Sequence, residues 1–147
     1  MKSMKSTDKP IIVEQTYNAS VETIWSAITE LDEMHKWYFD NIPDFKTEAG
    51  FKAQLKIENE GREFTHKWEI TRVEENKIIE IEWKFEEYPG RATVSFGLEP
   101  LDNKTKLTLT DIVLEDFPDD IPEFQRESCV GGWEYFLNKL KDYLADN

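Results

Sequence analysis

From residue 51 to residue 113 apolar and polar side chains alternate, interrupted only by short turn-forming clusters. Phe51, Ala53, Leu55 and Ile57 stand against Lys52, Gln54, Lys56 and Glu58, and this period of two predicts a strand with one face turned inward. The pattern recurs four times. Phe64, His66, Trp68 and Ile70 follow the turn Glu60-Gly61-Arg62, and Ile79, Ile81, Trp83 and Phe85 follow Glu75-Asn76-Lys77. Ala92, Val94, Phe96 and Leu98 come after Tyr88-Pro89-Gly90, and Leu107, Leu109, Asp111 and Val113 come after Asp102-Asn103. Strands joined by short turns form an antiparallel meander, and one-sided alternation gives it one wet face and one covered face. A β-branched run at 11–17 adds a strand at the start, for a sheet of six to seven strands.

The cover is helical. Val21, Ile24, Trp25 and Ile28 repeat at helical spacing behind Ser20, whose side-chain oxygen suits an N-cap, and Glu22 sits in the first turn where the helix dipole favours an acid. A second short helix is predicted over 31–38, with Leu31, Met34 and Tyr38 on one side. Beyond the acidic loop 115–120, a single long helix is expected over 122–144. Pro122 lies in its first turn, and Cys129, Trp133, Phe136, Leu137, Leu140 and Leu144 recur at steps of three and four. Gly131 and Gly132 inside it cost about 1 kcal/mol each relative to alanine, which predicts a neighbour too close for a side chain, either sheet backbone or a ligand. Residues 1–9 carry no apolar pattern beyond Met4 and read as a disordered tail; 10–147 read as one α+β domain.

Length and composition agree with one domain. The chain has 147 residues, 39% hydrophobic and 13% aromatic, enough to bury a core, and no apolar run reaches membrane-spanning length. A soluble protein is expected. The formal charge of -13 repels nucleic acid and anionic lipid surfaces, which removes both as partners. A lone cysteine, Cys129, and a polar N-terminus without an apolar leader point to the cytoplasm, where Asn18-Ala19-Ser20 is a helix start rather than a glycosylation acceptor.

A strand, two short helices, a strand meander and a long C-terminal helix is the order of the helix-grip fold, with a curved antiparallel sheet wrapped around the last helix. Within it, Tyr17-Asn18-Ala19-Ser20, Val21, Ile24-Trp25, Ala27 and Trp37 resemble the opening of the family of activator of heat-shock-protein-90 ATPase homologues. His66 and Trp68, Tyr88-Pro89-Gly90, Leu107-Thr108-Leu109-Thr110 and Gly132-Trp133 continue the resemblance across nearly the whole chain. The resemblance implies membership of the larger superfamily of START domains and the birch-pollen allergen, hence an apolar cavity between sheet and helix and a small hydrophobic or amphipathic ligand. It brings no shared catalytic triad. It also implies an alternative partner, a chaperone or another protein bound through the acidic surface, although 147 residues leave no room for the separate N-terminal domain of the eukaryotic co-chaperones.

The cavity candidates are the inward aromatic and polar positions: Trp37, Phe51, Leu55, His66, Trp68, Trp83 and Phe96, then Asp111, and on the helix Cys129, Gly132, Trp133 and Phe136. Such aromatics are more often ordinary core than the wall of a binding site. His66 and Asp111 are the polar groups on the inward face, and a buried polar group without a partner costs roughly 1 to 3 kcal/mol. They orient the polar end of a ligand, meet each other, or pair as a general base in an enzyme reading. The plainer alternative is a histidine satisfied by a backbone carbonyl and an aspartate near a strand end in solvent. Cys129, on the apolar stripe with Arg126 three residues back, reads as a buried inert thiol. Two distant histidines, His35 and His66, and no CxxC or HxxxH spacing give no zinc site. The Asp116, Asp119 and Asp120 cluster lacks the glycine and glutamate of a calcium loop, and no glycine-rich phosphate motif occurs. No cofactor is expected.

Overall fold

The computed structural model describes residues 3–145. Strand β1 (Ile11–Tyr17) leads into helices α1 (Val21–Thr29) and α2 (Leu31–Trp37), followed by β2 (Lys52–Asn59), β3 (Arg62–Glu74), β4 (Ile78–Phe85), β5 (Arg91–Leu101) and β6 (Lys104–Glu115). A 3₁₀ turn (Pro122–Phe124) precedes the C-terminal helix α3 (Arg126–Ala145). The six strands form one antiparallel sheet in the order β1-β6-β5-β4-β3-β2, so the meander is preserved and the first strand folds back beside the last. This is the helix-grip arrangement expected, at six strands.

Alternation in sequence becomes alternation in burial. In β5, Ala92, Val94, Phe96 and Leu98 are buried while Thr93, Ser95 and Gly97 are only partly covered. The β2–β3 turn places Glu60 and Gly61 at φ 51° and 81°, the two positive values that a two-residue hairpin of matching twist requires. Gly90, at φ 119°, ends the β4–β5 connection where a Cβ would fall inside the Phe117 ring.

Ser20 caps α1 as expected, its hydroxyl accepting from the Thr23 backbone N–H at 3.2 Å. The Trp37 indole donates to the Ala27 carbonyl at 2.7 Å, so α1 and α2 close one end of the concave face together. Helix α3 lies over the rest of that face, with Trp133, Leu137 and Leu140 turned into it. The Tyr17 hydroxyl donates to the Leu137 carbonyl at 2.8 Å, fixing its middle to β1.

Two expectations change. The C-terminal helix is broken: Gln125 is extended at ψ 140°, and its carbonyl accepts the first α3 bond from Cys129, so the helix starts at Arg126. The break turns Phe124 and Gln125 inward, both buried. The expected tail also differs. Met1 and Lys2 lie outside the described residues, but residues 3–9 lie along the 116–126 segment. The Met4 N–H donates to the Phe124 carbonyl and the Met4 carbonyl accepts from Phe117, both at 3.0 Å, and the Met4 side chain is buried. Lys5 pairs with Asp119 at 2.9 Å, and the Ser6 N–H donates to Asp116 at 2.7 Å. The acidic loop thus supplies the acceptors that hold the arm, a pairing too short to leave a period in sequence.

Candidate functional site

A cavity of about 450 Å³ lies between the concave face and α3. Its sheet wall is made by inward residues of adjacent strands: Phe64 and His66 of β3, Trp83 and Phe85 of β4, Ala92 and Val94 of β5, and Asp111 of β6. Helix α3 contributes Cys129, Gly132, Trp133 and Phe136, and Tyr38 and Phe39 close the end nearest α2. Met4, Phe117 and Phe124 close the other end, beside Ile57, Asn59 and Glu123.

Of the sequence candidates, His66, Trp83, Asp111, Cys129, Gly132, Trp133 and Phe136 come together in this wall. The others lie elsewhere. Trp37 stacks on Tyr38 at 5.0 Å between ring centroids, beneath α1, and Phe51 packs edge-on against Phe45. Leu55 is buried on β2, opposite His66 in register. Trp68 and Phe96 flank a void of about 10 Å³ under α2, roughly one water in size, and the Trp68 Nε1 has no hydrogen-bond partner among the described residues. Trp68 and Phe96 share the inward face with the cavity residues, but Met34, Trp37 and Tyr38 of α2 and its end fill the space above them. The sequence reading missed Tyr38, Phe39 and the Met4, Phe117 and Phe124 end wall. Phe64 and Phe85 carried the signal already, since both lie on the alternating face.

Asp111 stands in the middle of β6, between Ile11 on β1 and Val94 on β5. It is 6% exposed, so the expectation of an aspartate at a solvated strand end does not hold. The Trp133 indole donates to its Oδ2 at 3.2 Å, and Oδ1 has no partner among the described residues. Burial pushes its carboxyl up to about 6, against the opposing pull of the Trp133 hydrogen bond and the Arg126 charge. His66 engages the Phe64 carbonyl through Nδ1 at 3.2 Å. The N–H therefore sits on Nδ1, and Nε2 keeps its lone pair. Burial pushes His66 down to about 4, so the ring is neutral at pH 7. No hydrogen bond joins His66 to Asp111 among the described residues.

The remaining polar groups are constrained. Burial, reinforced by the Asp111 charge, pushes the Cys129 thiol up to about 12. Burial likewise holds the Tyr38 hydroxyl well above its ordinary range, and Asp111 adds to it. Glu123 accepts from Arg62 Nε and Nη2, each at 2.9 Å, and from Asn59 at 2.6 Å, which clamps the 3₁₀ turn to the β2–β3 hairpin. Around Gly131 and Gly132 the crowding expected from sequence is absent, since a Cβ on either would meet nothing within 4 Å. At Gly132 the missing side chain is cavity space. Among the described residues no group of three or more His, Cys, Asp or Glu side chains is placed to hold a metal, and no helix is long and apolar enough to cross a membrane.

The family model described as Activator of Hsp90 ATPase homolog 1-like protein matches residues 18–145. No curated protein matches the chain. Among solved structures, protein CV1439 from Chromobacterium violaceum is 19% identical with a TM-score of 0.75, over 90% of this chain and 94% of that one. Protein MLL2253 from Mesorhizobium loti is 23% identical with a TM-score of 0.73, over 95% and 98% of the two chains. DynU16, a protein of the dynemicin biosynthetic locus, is 22% identical with a TM-score of 0.73; 94% of this chain matches 48% of it, so this chain spans about half its length. The likeness to these three is one of fold.

Proposed function

We propose, for a chain that belongs to the Activator of Hsp90 ATPase homolog 1-like family, that it binds a small apolar or amphipathic molecule between its sheet and α3. The observation that carries this reading is the space of about 450 Å³ walled by aromatic rings and left open at Gly132. Protein interiors pack as densely as organic crystals, with few voids larger than a water, whereas small-molecule sites enclose roughly 300 to 1,000 Å³. Binding rather than turnover is the reading, because His66 is engaged by a backbone carbonyl away from Asp111 and the Cys129 thiol is held protonated.

Thermal unfolding against a panel of sterols, flavonoids, alkylamines and fatty acids tests it. A ligand at about 100 times its dissociation constant adds roughly 2.7 kcal/mol, worth about 5 to 10 °C in a domain of this size. No shift with any member would overturn the reading. The net charge of -13 favours a second reading in that case, a basic protein partner such as the chaperone that the family description names. Its signature is association that weakens as salt rises.

A further inference from the structure

Two carboxylates, Asp111 and Glu123, line the cavity, and among the lining residues there is no lysine or arginine. Glu123 is already neutralised by Arg62. Asp111 is not. It is 94% removed from solvent, by its 6% exposure, and takes a single hydrogen bond among the described residues, from a neutral indole. A carboxylate has about four acceptor sites, so most of its capacity is unused. The nearest cation on α3, Arg126, donates instead to the Lys9 and Pro10 carbonyls at 2.8 and 3.2 Å. Buried carboxylates are ordinarily paired, and this one has no partner of opposite charge in direct contact among the described residues.

The rings beside it add to the same preference. Trp133, which holds Asp111, lies 5.5 Å from Trp83 and 6.4 Å from Tyr38 between ring centroids. Aromatic faces attract ammonium groups, and a desolvated carboxylate repels any carboxylate-headed guest. The charge of the whole chain, -13, works in the same direction at long range.

We propose that the ligand is a cationic amphiphile, an apolar body carrying a protonated amine whose N–H groups pair with the Asp111 carboxylate among the rings of Trp133, Trp83 and Tyr38. This rests on the ligand-binding reading of the cavity and narrows it to one head-group chemistry. Fatty acids are excluded from the site, and neutral alcohols bind more weakly than amines.

The test is a titration of the protein with decylamine, 1-decanol and decanoate below their aggregation limits, with the neutral dye Nile red as a probe of the cavity itself. Decylamine is expected to bind at least tenfold more tightly than decanol, and decanoate not at all. In Asp111→Asn, which keeps an acceptor for the Trp133 indole, the ratio of amine affinity to alcohol affinity should fall to about one. A variant that fails to fold leaves the wild-type pH profile as the measure. Decylamine affinity should drop up to tenfold per unit as pH falls below about 6, where Asp111 protonates, and decanol affinity should stay flat. The amine, with a pKa near that of lysine, about 10.4, stays charged throughout. The other groups facing Asp111 do not titrate in that window. His66 is pushed down to about 4, and the Arg126 guanidinium carries no proton that it releases in water. The Cys129 thiol, up to about 12, and the Tyr38 hydroxyl stay protonated. Glu123, whose burial is outweighed by the hydrogen bonds from Arg62 and Asn59, lies below its ordinary range. The strand neighbours Ile11 and Val94 carry no charge. Equal affinity for amine and alcohol, or an amine preference that survives Asp111→Asn and acid, overturns the amine head group alone. If Nile red and all three decyl probes fail to bind, the cavity reading falls with it.

Discussion

The Trp133 indole N–H and the Asp111 carboxylate meet at 3.2 Å across the interface between α3 and β6. The bond joins the N-terminal half of the covering helix to β6, the second strand from the β1 edge of the sheet, at the wall of the cavity. It is also an unequal match, because one neutral donor faces a buried charge. A neutral partner recovers only part of the free energy that an ionised carboxylate loses on leaving water.

Asp111 therefore costs stability at neutral pH. Its folded value of about 6 lies above the ordinary aspartate range, so the native state binds more protons than the unfolded chain between about 4 and 6, and stability falls as pH rises through that window. His66, pushed down to about 4, acts oppositely, and its contribution is lost as pH falls from about 6.5 to 4. Asp111→Asn should raise the unfolding free energy at pH 7 by about 2 kcal/mol. It should also make acid destabilisation below pH 6.5 steeper than in wild type, because the His66 effect is no longer offset. Denaturant melts of both proteins from pH 4 to 7.5 read this directly. Parallel curves would show that Asp111 does not titrate in the fold.

Gly132→Leu should separate folding from binding. The added side chain enters open space, so the melting temperature should hold or rise, while affinity for any cavity ligand falls tenfold or more. Calorimetry beside a thermal melt distinguishes this from misfolding. Undiminished ligand affinity in a folded variant would place the ligand elsewhere.

Gly90→Ala should be among the most damaging alanine substitutions. The backbone there is at φ 119° and the new methyl would occupy the volume of the Phe117 ring, so a loss of about 2 kcal/mol or more is expected. The shift in urea midpoint measures it, and a loss under about 0.5 kcal/mol would mean that loop and ring move freely together.

Met4→Ala should loosen the N-terminal arm. The side chain is 5% exposed and its backbone holds Phe124 and Phe117, so shortening it removes apolar contacts at the end of the cavity and costs about 1 to 2 kcal/mol of local stability. Tryptic cleavage after Lys5 should quicken several-fold, with little change in the global melt. Unchanged cleavage would show that the polar contacts of Lys5 and Ser6 suffice to hold the arm.

Most of the sheet was legible because its residues obey a period. Each inward position from Leu55 to Leu109 is fixed by alternation, and His66 and Asp111 were visible as the polar exceptions. Alternation does not say what lies above a face. Trp68 and Trp83 sit side by side on it, paired across β3 and β4, yet only Trp83 reaches the cavity, because α2 covers Trp68. The far end wall was not legible for a different reason. Met4, Phe117 and Phe124 lie in aperiodic segments, brought together by two backbone bonds and two acidic side chains more than a hundred residues from the arm. The two glycines of α3 were visible, but a missing side chain reads the same in sequence whether it relieves a clash or opens a space.

The walls of the cavity differ in how they can yield. Five strand pairings hold the sheet side, and spreading them would break ladder hydrogen bonds. The opposite side is α3, whose C-terminal half is seated by the fully buried Leu137 and Leu140, while its first two turns border the space and begin at the break at Gln125. Gly131 and Gly132 lie in the N-terminal half, just before Trp133. The sheet side is thus a stiff trough, and the space beneath the near end of α3 is closed by side-chain contacts instead of a ladder: the Glu123 clamp to Arg62 and Asn59, and the Trp133 bond to Asp111.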